Sequence, residues 1–292
     1  MRAYFSDFFR VIKNIRIEVI KMEAAKKCLI IGVDSQIGSY LNQYLKRMGY
    51  QLFGTTRRID SLKKSKKLIY LDLSKDFFHN SSENFDIAIV CAGVTDINFC
   101  EKYVSISELI NVENTIKTIE FLLYKKTQVI FLSSNSVFDG SRSFYKYFDQ
   151  TKPVNEYGRL KVAVENYFQD FNFFILRLTK VLTADVTFIK KWSDSLRKNE
   201  KIITFNNHFI SPITLEQVGE AIYQLIGLNF TQSLKIDNIF QLGSNFEISY
   251  FNFANNYFKH NTKALNLIHG IEDPNVATNK YNSLQTYLPK LR

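Results

Sequence analysis

Short apolar runs alternate with helically spaced apolar positions along most of this chain. The runs fall at 28–33, 51–55, 68–73, 87–92, 128–133 and 173–178. Several are nearly continuous in apolar residues, as strands covered on both faces are. Between them, apolar positions recur at helical spacing over about 36–48, 105–125 and 156–170. Strands alternating with helices predict βαβ units, and so an α/β fold with a Rossmann-type, doubly wound parallel sheet over 23–180. After about residue 180 the rhythm changes. Helical patterns near 186–198 and 214–228 flank a short strand at 201–205, and a further strand-like run lies at 239–243. The expectation is a smaller mixed C-terminal domain over 181–292, packed at the edge of the sheet.

Residues 1–22 form an N-terminal extension of a different kind. Phe5, Phe8, Phe9, Ile12, Val19 and Ile20 fall on one helical face, but Arg10, Lys13, Arg16 and Glu18 interrupt the apolar stretch, so no signal-peptide core forms. Two readings stay open: a helix for a partner or membrane surface, and a start site upstream of a true one at Met22. The second is favoured, because the first strand begins six residues after Met22. No run of about 18 uncharged apolar residues occurs, which argues against a membrane span. Cys28, Cys91 and Cys100 show no CxxC spacing, and the first two lie in strand-like runs. Buried, reduced thiols in a reducing, cytoplasmic compartment fit that pattern.

The apolar share of 46% and the low Gly and Pro counts exclude fibrous and disordered classes. The net charge of +10 changes the picture only through its distribution. Residues before Cys28 carry seven bases against three acids, and residues 57–67 carry six against one. Charge concentrated beside a strand end suits a small phosphate-bearing ligand at least as well as a nucleic acid, which is not the expected partner. A solvated loop accounts equally for 63–67.

The first apolar run leads into Gly32-Val33-Asp34-Ser35-Gln36-Ile37-Gly38, which opens the first helix. This is a GxxGxxG spacing with Ser35 at the middle glycine. Gly32 permits a tight turn, a small middle residue lets a pyrophosphate approach the backbone, and Gly38 lets helix and strand touch. The helix start, with Gln36 and Ile37, presents unpaired N–H groups to phosphate. A dinucleotide is the ligand this predicts. An acid ending the second strand would suit the ribose hydroxyl of NAD(H), whereas Arg suits the extra phosphate of NADP(H). Here the strand ends Thr56-Arg57-Arg58, with no acid until Asp60, and guanidinium groups grip phosphomonoesters. NADP(H) is favoured; NAD(H) is the alternative if Arg57 and Arg58 are plain loop charges.

Tyr157-Gly158-Arg159-Leu160-Lys161 puts a tyrosine and a lysine on one face of the helix expected over 156–170. A phenol with a pKa of about 10 transfers protons poorly at neutral pH. A nearby ammonium lowers that value, which would let Tyr157 act as general acid or base. Alone the spacing says little in a chain with 16 tyrosines. It gains weight from the run that ends Leu132-Ser133-Ser134-Asn135-Ser136. Hydroxyls at the carboxyl end of a buried strand sit where open α/β sheets bind ligands, and can stabilise charge developing on a carbonyl oxygen. Turn chemistry is the competing use of such serines.

Together the Gly32–Gly38 turn, the strand end Ser133-Ser134-Asn135-Ser136-Val137-Phe138-Asp139-Gly140 and Tyr157–Lys161 resemble the extended short-chain dehydrogenase/reductases. Among these the chain looks most like the dTDP-4-dehydrorhamnose reductases, which share the Val-Phe-Asp-Gly element. Residues 28–180 carry most of the resemblance, and Phe209-Ile210-Ser211-Pro212-Ile213-Thr214 is similar to a segment of the family's substrate domain. The resemblance implies that Ser134 polarises a carbonyl, Tyr157 donates the proton, and Lys161 lowers the Tyr157 pKa and binds the ribose. It sets Asp72 and Leu73 beside the adenine, and Cys91, Ala92, Gly93 and Thr95 along the cofactor. Asn111 supports the active site from its helix, while Ser133 and Leu178 lie near the nicotinamide. Thr95, Ser134 and Asn135 are the implied substrate contacts. Arg142 and Lys146, in the loop before Tyr157, are further expected contacts for a substrate diphosphate.

The implied activity is NADPH-dependent reduction of a nucleotide-linked 4-keto sugar for cell-surface polysaccharide synthesis, with a homodimer as the assembly. Two alternatives remain: an epimerase or dehydratase that retains its NAD(P), and a non-catalytic NADP-binding regulatory subunit. The complete Ser134, Tyr157 and Lys161 set argues against the last. His79, His208, His260 and His269 show no HxH or HExxH spacing, so no metal site is expected and structural or exposed roles are. Phe144-Tyr145-Lys146-Tyr147 has a composition that suits base stacking, but core or loop packing is the preferred reading.

Overall fold

The apolar runs and the strands coincide closely. The computed structural model describes residues 25–63, 65–169, 171, 173–183, 186–228, 238–274 and 280–289, so the expected N-terminal extension lies outside the described residues. Strands β1 (Lys27–Ile31), β2 (Gln51–Thr56), β3 (Leu68–Tyr70), β4 (Ile87–Val90), β5 (Gln128–Ser134) and β6 (Phe174–Leu178) follow the runs. Between them lie α1 (Gln36–Arg47), α2 (Ile59–Leu62), α3 (Ile97–Lys102), α4 (Val104–Glu108), α5 (Asn114–Tyr124) and α6 (Glu156–Tyr167). The remainder holds β7 (Lys180–Leu182), α7 (Thr187–Lys198), β8 (Ile202–Phe205), β9 (Phe209–Ile210), β10 (Pro212–Thr214) and α8 (Leu215–Ile226). It ends with β11 (Ile239–Leu242), β12 (Ile248–Ser249), α9 (Tyr250–Tyr257), α10 (Thr262–Leu267) and β13 (Ile268–Ile271).

The large sheet runs β11-β6-β5-β4-β1-β2-β3 with every pair parallel. The chain winds outward in both directions from β1, and the crevice at the carboxyl ends of β1 and β4 is the switch point where such sheets bind ligands. Alternate residues of each strand serve opposite layers. Cys28, Ile30, Ile89, Ile130 and Leu176 bury against α1 and α8, while Leu29, Ile31, Val90, Phe131 and Ile175 bury against α5 and α6. Both faces are covered, which is why the runs are apolar throughout.

A division at residue 180 does not describe the chain. Helix α8 covers one face of the large sheet and β11 extends its edge beside β6. Parallel pairing of β6 with β11 requires a crossover, and α8 lies within it. Residues within 188–202 and 250–268 build a small lobe around Trp192, Ile202, Ala254, Phe258, Ala264 and Ile268. Among the described residues no helix is long and apolar enough to cross a membrane.

Residues 280–289 return as a strap over the sheet edge, with bridges Tyr145↔Leu284 and Gln241↔Tyr287. Leu284 is fully buried against Val137, Phe138 and Tyr145. Leu284→Ala is expected to destabilise the fold by about 2–5 kcal/mol through lost burial and a residual cavity. Urea unfolding with the wild-type midpoint would contradict that role.

Candidate active site

Two cavities of about 580 and 670 Å³ adjoin at the carboxyl ends of the strands and share Cys91, Ala92 and Gly93 as a common wall. The first is built on the turn after β1. Gly32 has φ +87°, and a Cβ there would lie 2.9 Å from Ala92. At Gly38 a Cβ would lie 2.3 Å from the Gly32 carbonyl oxygen. Ser35 caps α1: its Oγ accepts from the Gly38 N–H at 3.0 Å and donates to the Gly32 carbonyl at 2.9 Å. The serine in place of glycine thus fastens the turn from within. The Gln36 and Ile37 N–H groups, in the first turn, have no acceptor within the helix.

Arg57 and Arg58 line the same cavity, with Asp34, Thr56, Asp72 and Leu73. Arg58 leans toward Asp34 at 3.9 Å, and Asp34 also accepts from the Thr56 hydroxyl at 2.5 Å. Among the described residues Arg57 has no ion-pair partner within 4.0 Å. Burial would raise the Asp72 carboxyl, but hydrogen bonds from Ser74 and the charges of Arg57 and Lys75 hold it below its ordinary value. A cradle closed to side chains, a capped helix start and an uncommitted guanidinium fit a dinucleotide that bears an extra phosphate.

The second cavity holds Ser134, Tyr157 and Lys161 together. Helix α6 begins with an Asn155 cap that accepts from the Gly158 N–H at 2.8 Å. Gly158 lies against the turn after β5 so closely that a Cβ would sit 2.1 Å from the Ser136 carbonyl oxygen. The Ser134 hydroxyl lies close enough to the Tyr157 phenol to act on its titration, while its own hydrogen bonds run to Asn135 and Ser136, at 3.4 and 3.3 Å. The Lys161 ammonium donates to the Leu132 carbonyl at 2.9 Å, lies 4.4 Å from the Phe131 ring centre and 5.8 Å from that of Tyr157.

The electrostatics differ from the expectation. Burial pushes the Tyr157 phenol up to about 12, with the Ser134 hydrogen bond pulling the other way. Burial likewise pulls Lys161 down to about 8, against the charge of Glu165, which raises it. Desolvation is the largest cause of both shifts. The phenol therefore keeps its proton at neutral pH and, before any ligand binds, is a weaker acid than an ordinary tyrosine.

Other expected residues divide by where their side chains go. Thr95, Asn135 and Leu178 line the second cavity, and Asn135 donates to Asn282 at 2.8 Å. Ser133 also lines it, although its hydroxyl donates to Glu165 at 2.5 Å, because neighbours in a strand face opposite ways. Asn111 lines neither cavity. The helix expected over 105–125 is broken by a π turn at Leu109–Glu113, and from it Asn111 accepts from the Val94 N–H at 2.8 Å and donates to the Val94 carbonyl at 2.9 Å. It clips the loop after β4, and such turns recur at functional sites. Arg142 is also corrected. It pairs with Asp149 at 2.5 Å and lies over Tyr145 in a separate cavity of about 620 Å³, because the Asp139–Asp149 loop folds on itself.

Several lining residues escaped the sequence reading. Lys180, Tyr250 and Asn282 line the second cavity, as does His208, whose Nε2 lies 2.9 Å from an Asp273 carboxylate oxygen. His208 precedes the Phe209–Thr214 segment, and Lys180 follows the β6 end, so adjacency was the available signal for both. Among the described residues that line this cavity none is Asp or Glu, whereas Lys161, Lys180 and His208 are present.

The comparisons with known proteins show the family and the fold. The profile of the RmlD substrate binding domain matches residues 26–286. A probable low-salt glycan biosynthesis reductase of Haloferax volcanii is 27% identical over 150 residues, 48% of this chain and 50% of that protein. The aligned part thus spans about half the length of that relative. Among solved structures, a dTDP-4-dehydrorhamnose reductase from Bacillus anthracis in complex with NADP has a TM-score of 0.73 at 20% identity, covering 90% of each chain. A UDP-glucose 4-epimerase from Thermotoga maritima with UDP-glucose has a TM-score of 0.72 at 12% identity, covering 89% of this chain and 90% of that one.

Proposed function

The chain belongs to the RmlD substrate binding domain family, and from that premise we propose that it is an NADPH-dependent reductase of a nucleotide-linked 4-keto sugar. The observation that carries the reading is that Ser134, Tyr157 and Lys161 line one cavity, with Lys180 and His208 and with no carboxylate among the described lining residues. A wall of that charge suits an anionic ligand such as a nucleoside diphosphate. The chemistry that the nicotinamide supplies when bound is hydride donation to the keto carbon. Gly32, Ser35 and the start of α1 hold the pyrophosphate, and Arg57 and Arg58 the extra phosphate. Ser134 hydrogen-bonds the carbonyl oxygen and stabilises the charge that develops there. Tyr157 delivers its proton to that oxygen, and Lys161 stabilises the phenolate left behind.

The rival reading is an epimerase or dehydratase, and an epimerase superposes on this fold almost as well as a reductase does. One feature favours net reduction: the exposed Arg57 suits a cofactor that dissociates between turnovers. Place in glycan synthesis follows from the same reading, since the Haloferax volcanii relative is a probable glycan biosynthesis reductase.

Arg57→Ala is expected to weaken NADPH binding about tenfold and NADH binding hardly at all, because one charge-assisted contact to the phosphate is lost. Fluorescence titration with both cofactors checks this, and equal losses would reject the phosphate role. The pH profile carries a second expectation. The ammonium of Lys161 is fully present below about 8 and is lost as pH rises through that value, so the reduction rate should fall there. A rate that holds level well above that pH would contradict the need for the ammonium.

A further inference from the structure

A buried ion pair lies behind the catalytic strand. Glu165 on α6 and Arg177 on β6 are each 3% exposed and meet at 2.6 Å. The Arg177 Nε also reaches both carboxylate oxygens, at 3.1 and 3.2 Å, and Ser133 donates to one of them at 2.5 Å. Arg177 further donates to the Tyr147 carbonyl at 3.0 Å and lies 5.1 Å from the Phe138 ring centre. A buried pair of this kind is a weak source of stability, since apolar residues of similar volume often do as well. Its charges therefore call for another use.

The nearest buried charge without a carboxylate in contact is Lys161, one helical turn before Glu165 on the same face. The groups that act on its ammonium are few. Tyr157 and Glu165 share its helix, Cys91 stands at the end of β4, Cys100 on α3, and Leu132 and Phe131 on β5. Burial pushes the Cys91 thiol up to about 12 and raises Cys100 as well, so both stay neutral at working pH. Among the described residues Glu165 is the one carboxylate in the set.

We propose that Glu165 is a positioning residue: clamped by Arg177 and Ser133 on the helix face it shares with Lys161, its carboxylate keeps the Lys161 side chain in its ammonium form. The proposal rests on the reading of Lys161 as the partner of Tyr157. Without the carboxylate the largest offset to the desolvation of the ammonium is lost, and its proton leaves at lower pH. Arg177 sets the position of the carboxylate and ties it to the loop at Tyr147.

The test follows the Lys161 amine directly, by NMR titration of protein carrying isotope-labelled lysine, with Lys161→Arg to identify the signal. In Glu165→Gln the titration midpoint is expected to fall by about one pH unit, and in Glu165→Asp to stay near that of the wild type. An unchanged midpoint in Glu165→Gln would overturn the proposal. Should that variant not fold, Glu165→Leu combined with Arg177→Met preserves volume without leaving a charge unpaired, and the same fall is expected, with the same meaning if it is absent. A parallel pH profile of kcat/KM should show the alkaline limb moving down by the same amount, which a merely structural role would not produce. A wild type that titrates as expected yet never oxidises NADPH would reject the reductase reading and leave the Glu165 assignment standing, because the titration needs no substrate.

Discussion

Tyr157→Phe should lower kcat for keto-sugar reduction by about a hundred- to ten-thousandfold while NADPH still binds. The phenol is the proton donor of the account, and Phe keeps the ring's packing while removing only the hydroxyl. Ser134 would lose one partner but retain its contacts with Ser136, to which its Oγ donates at 3.3 Å and from whose N–H it accepts at 3.1 Å. Stability should therefore change by no more than about 1 kcal/mol. The phosphate end of the groove lies in the other cavity, around Gly32, Ser35 and Arg57, so cofactor affinity should hardly move. Steady-state kinetics and an NADPH titration on one preparation separate the two effects. A variant with near-wild-type kcat would remove Tyr157 from the chemistry.

Gly158→Ala should be nearly as damaging, though a single methyl is added. The atom that a Cβ would meet at 2.1 Å is the Ser136 carbonyl oxygen, part of the backbone, and Pro153 stands at 3.0 Å on another side. Neither neighbour is the free end of a flexible side chain. Either α6 moves away from the sheet or the Ser136 turn is displaced, and Tyr157 and Ser134 ride on those two pieces. A misplacement of about 1 Å costs on the order of a hundredfold in rate, so a loss of that size in kcat is expected, with a lower Tm. Gly49→Ala serves as the control. Gly49 has a positive φ, +90°, which Gly158 lacks, but open space around it, so that change should cost some stability and leave kcat alone. Wild-type kcat in Gly158→Ala would show that the close contact is not what positions Tyr157.

The sheet was legible because its strands are buried on both faces and leave continuous apolar runs. Burial alone fixed β1, β4, β5 and β6 to within one or two residues. The run at 68–73 promised a longer strand than β3, since Leu71 and Leu73 are buried only as the chain turns to bring Asp72 to the cavity rim. The run at 239–243 was seen as a strand, yet nothing local to it says that it joins the large sheet. That is decided by the crossover through α8, a relation between segments far apart in the chain.

The site divides in the same way. Local motifs gave Gly32, Ser35, Gly38, Ser134, Tyr157 and Lys161, each read against the strand or helix that carries it. They could not say that Ser133 turns inward to Glu165, because that partner lies a helix away. Arg142 was plausible from its place in the loop, but the loop supplies its own carboxylate, Asp149. Asn282 reaches Asn135 from the far end of the chain, where the sequence offers no periodicity to read. The Tyr157 shift was misjudged for a physical reason: spacing shows which charges are neighbours but not how far water is excluded from them.

The central claim is that this groove passes a hydride from NADPH to a keto carbon while Tyr157 supplies the proton. Incubating the enzyme with NADPH deuterated at nicotinamide C4 and a nucleotide-linked 4-keto sugar, followed by mass spectrometry, tests it most directly. Deuterium in the sugar together with a matching amount of free NADP is the expected result. Turnover of a sugar nucleotide with the deuterium left on the cofactor, and no NADP released, would contradict it.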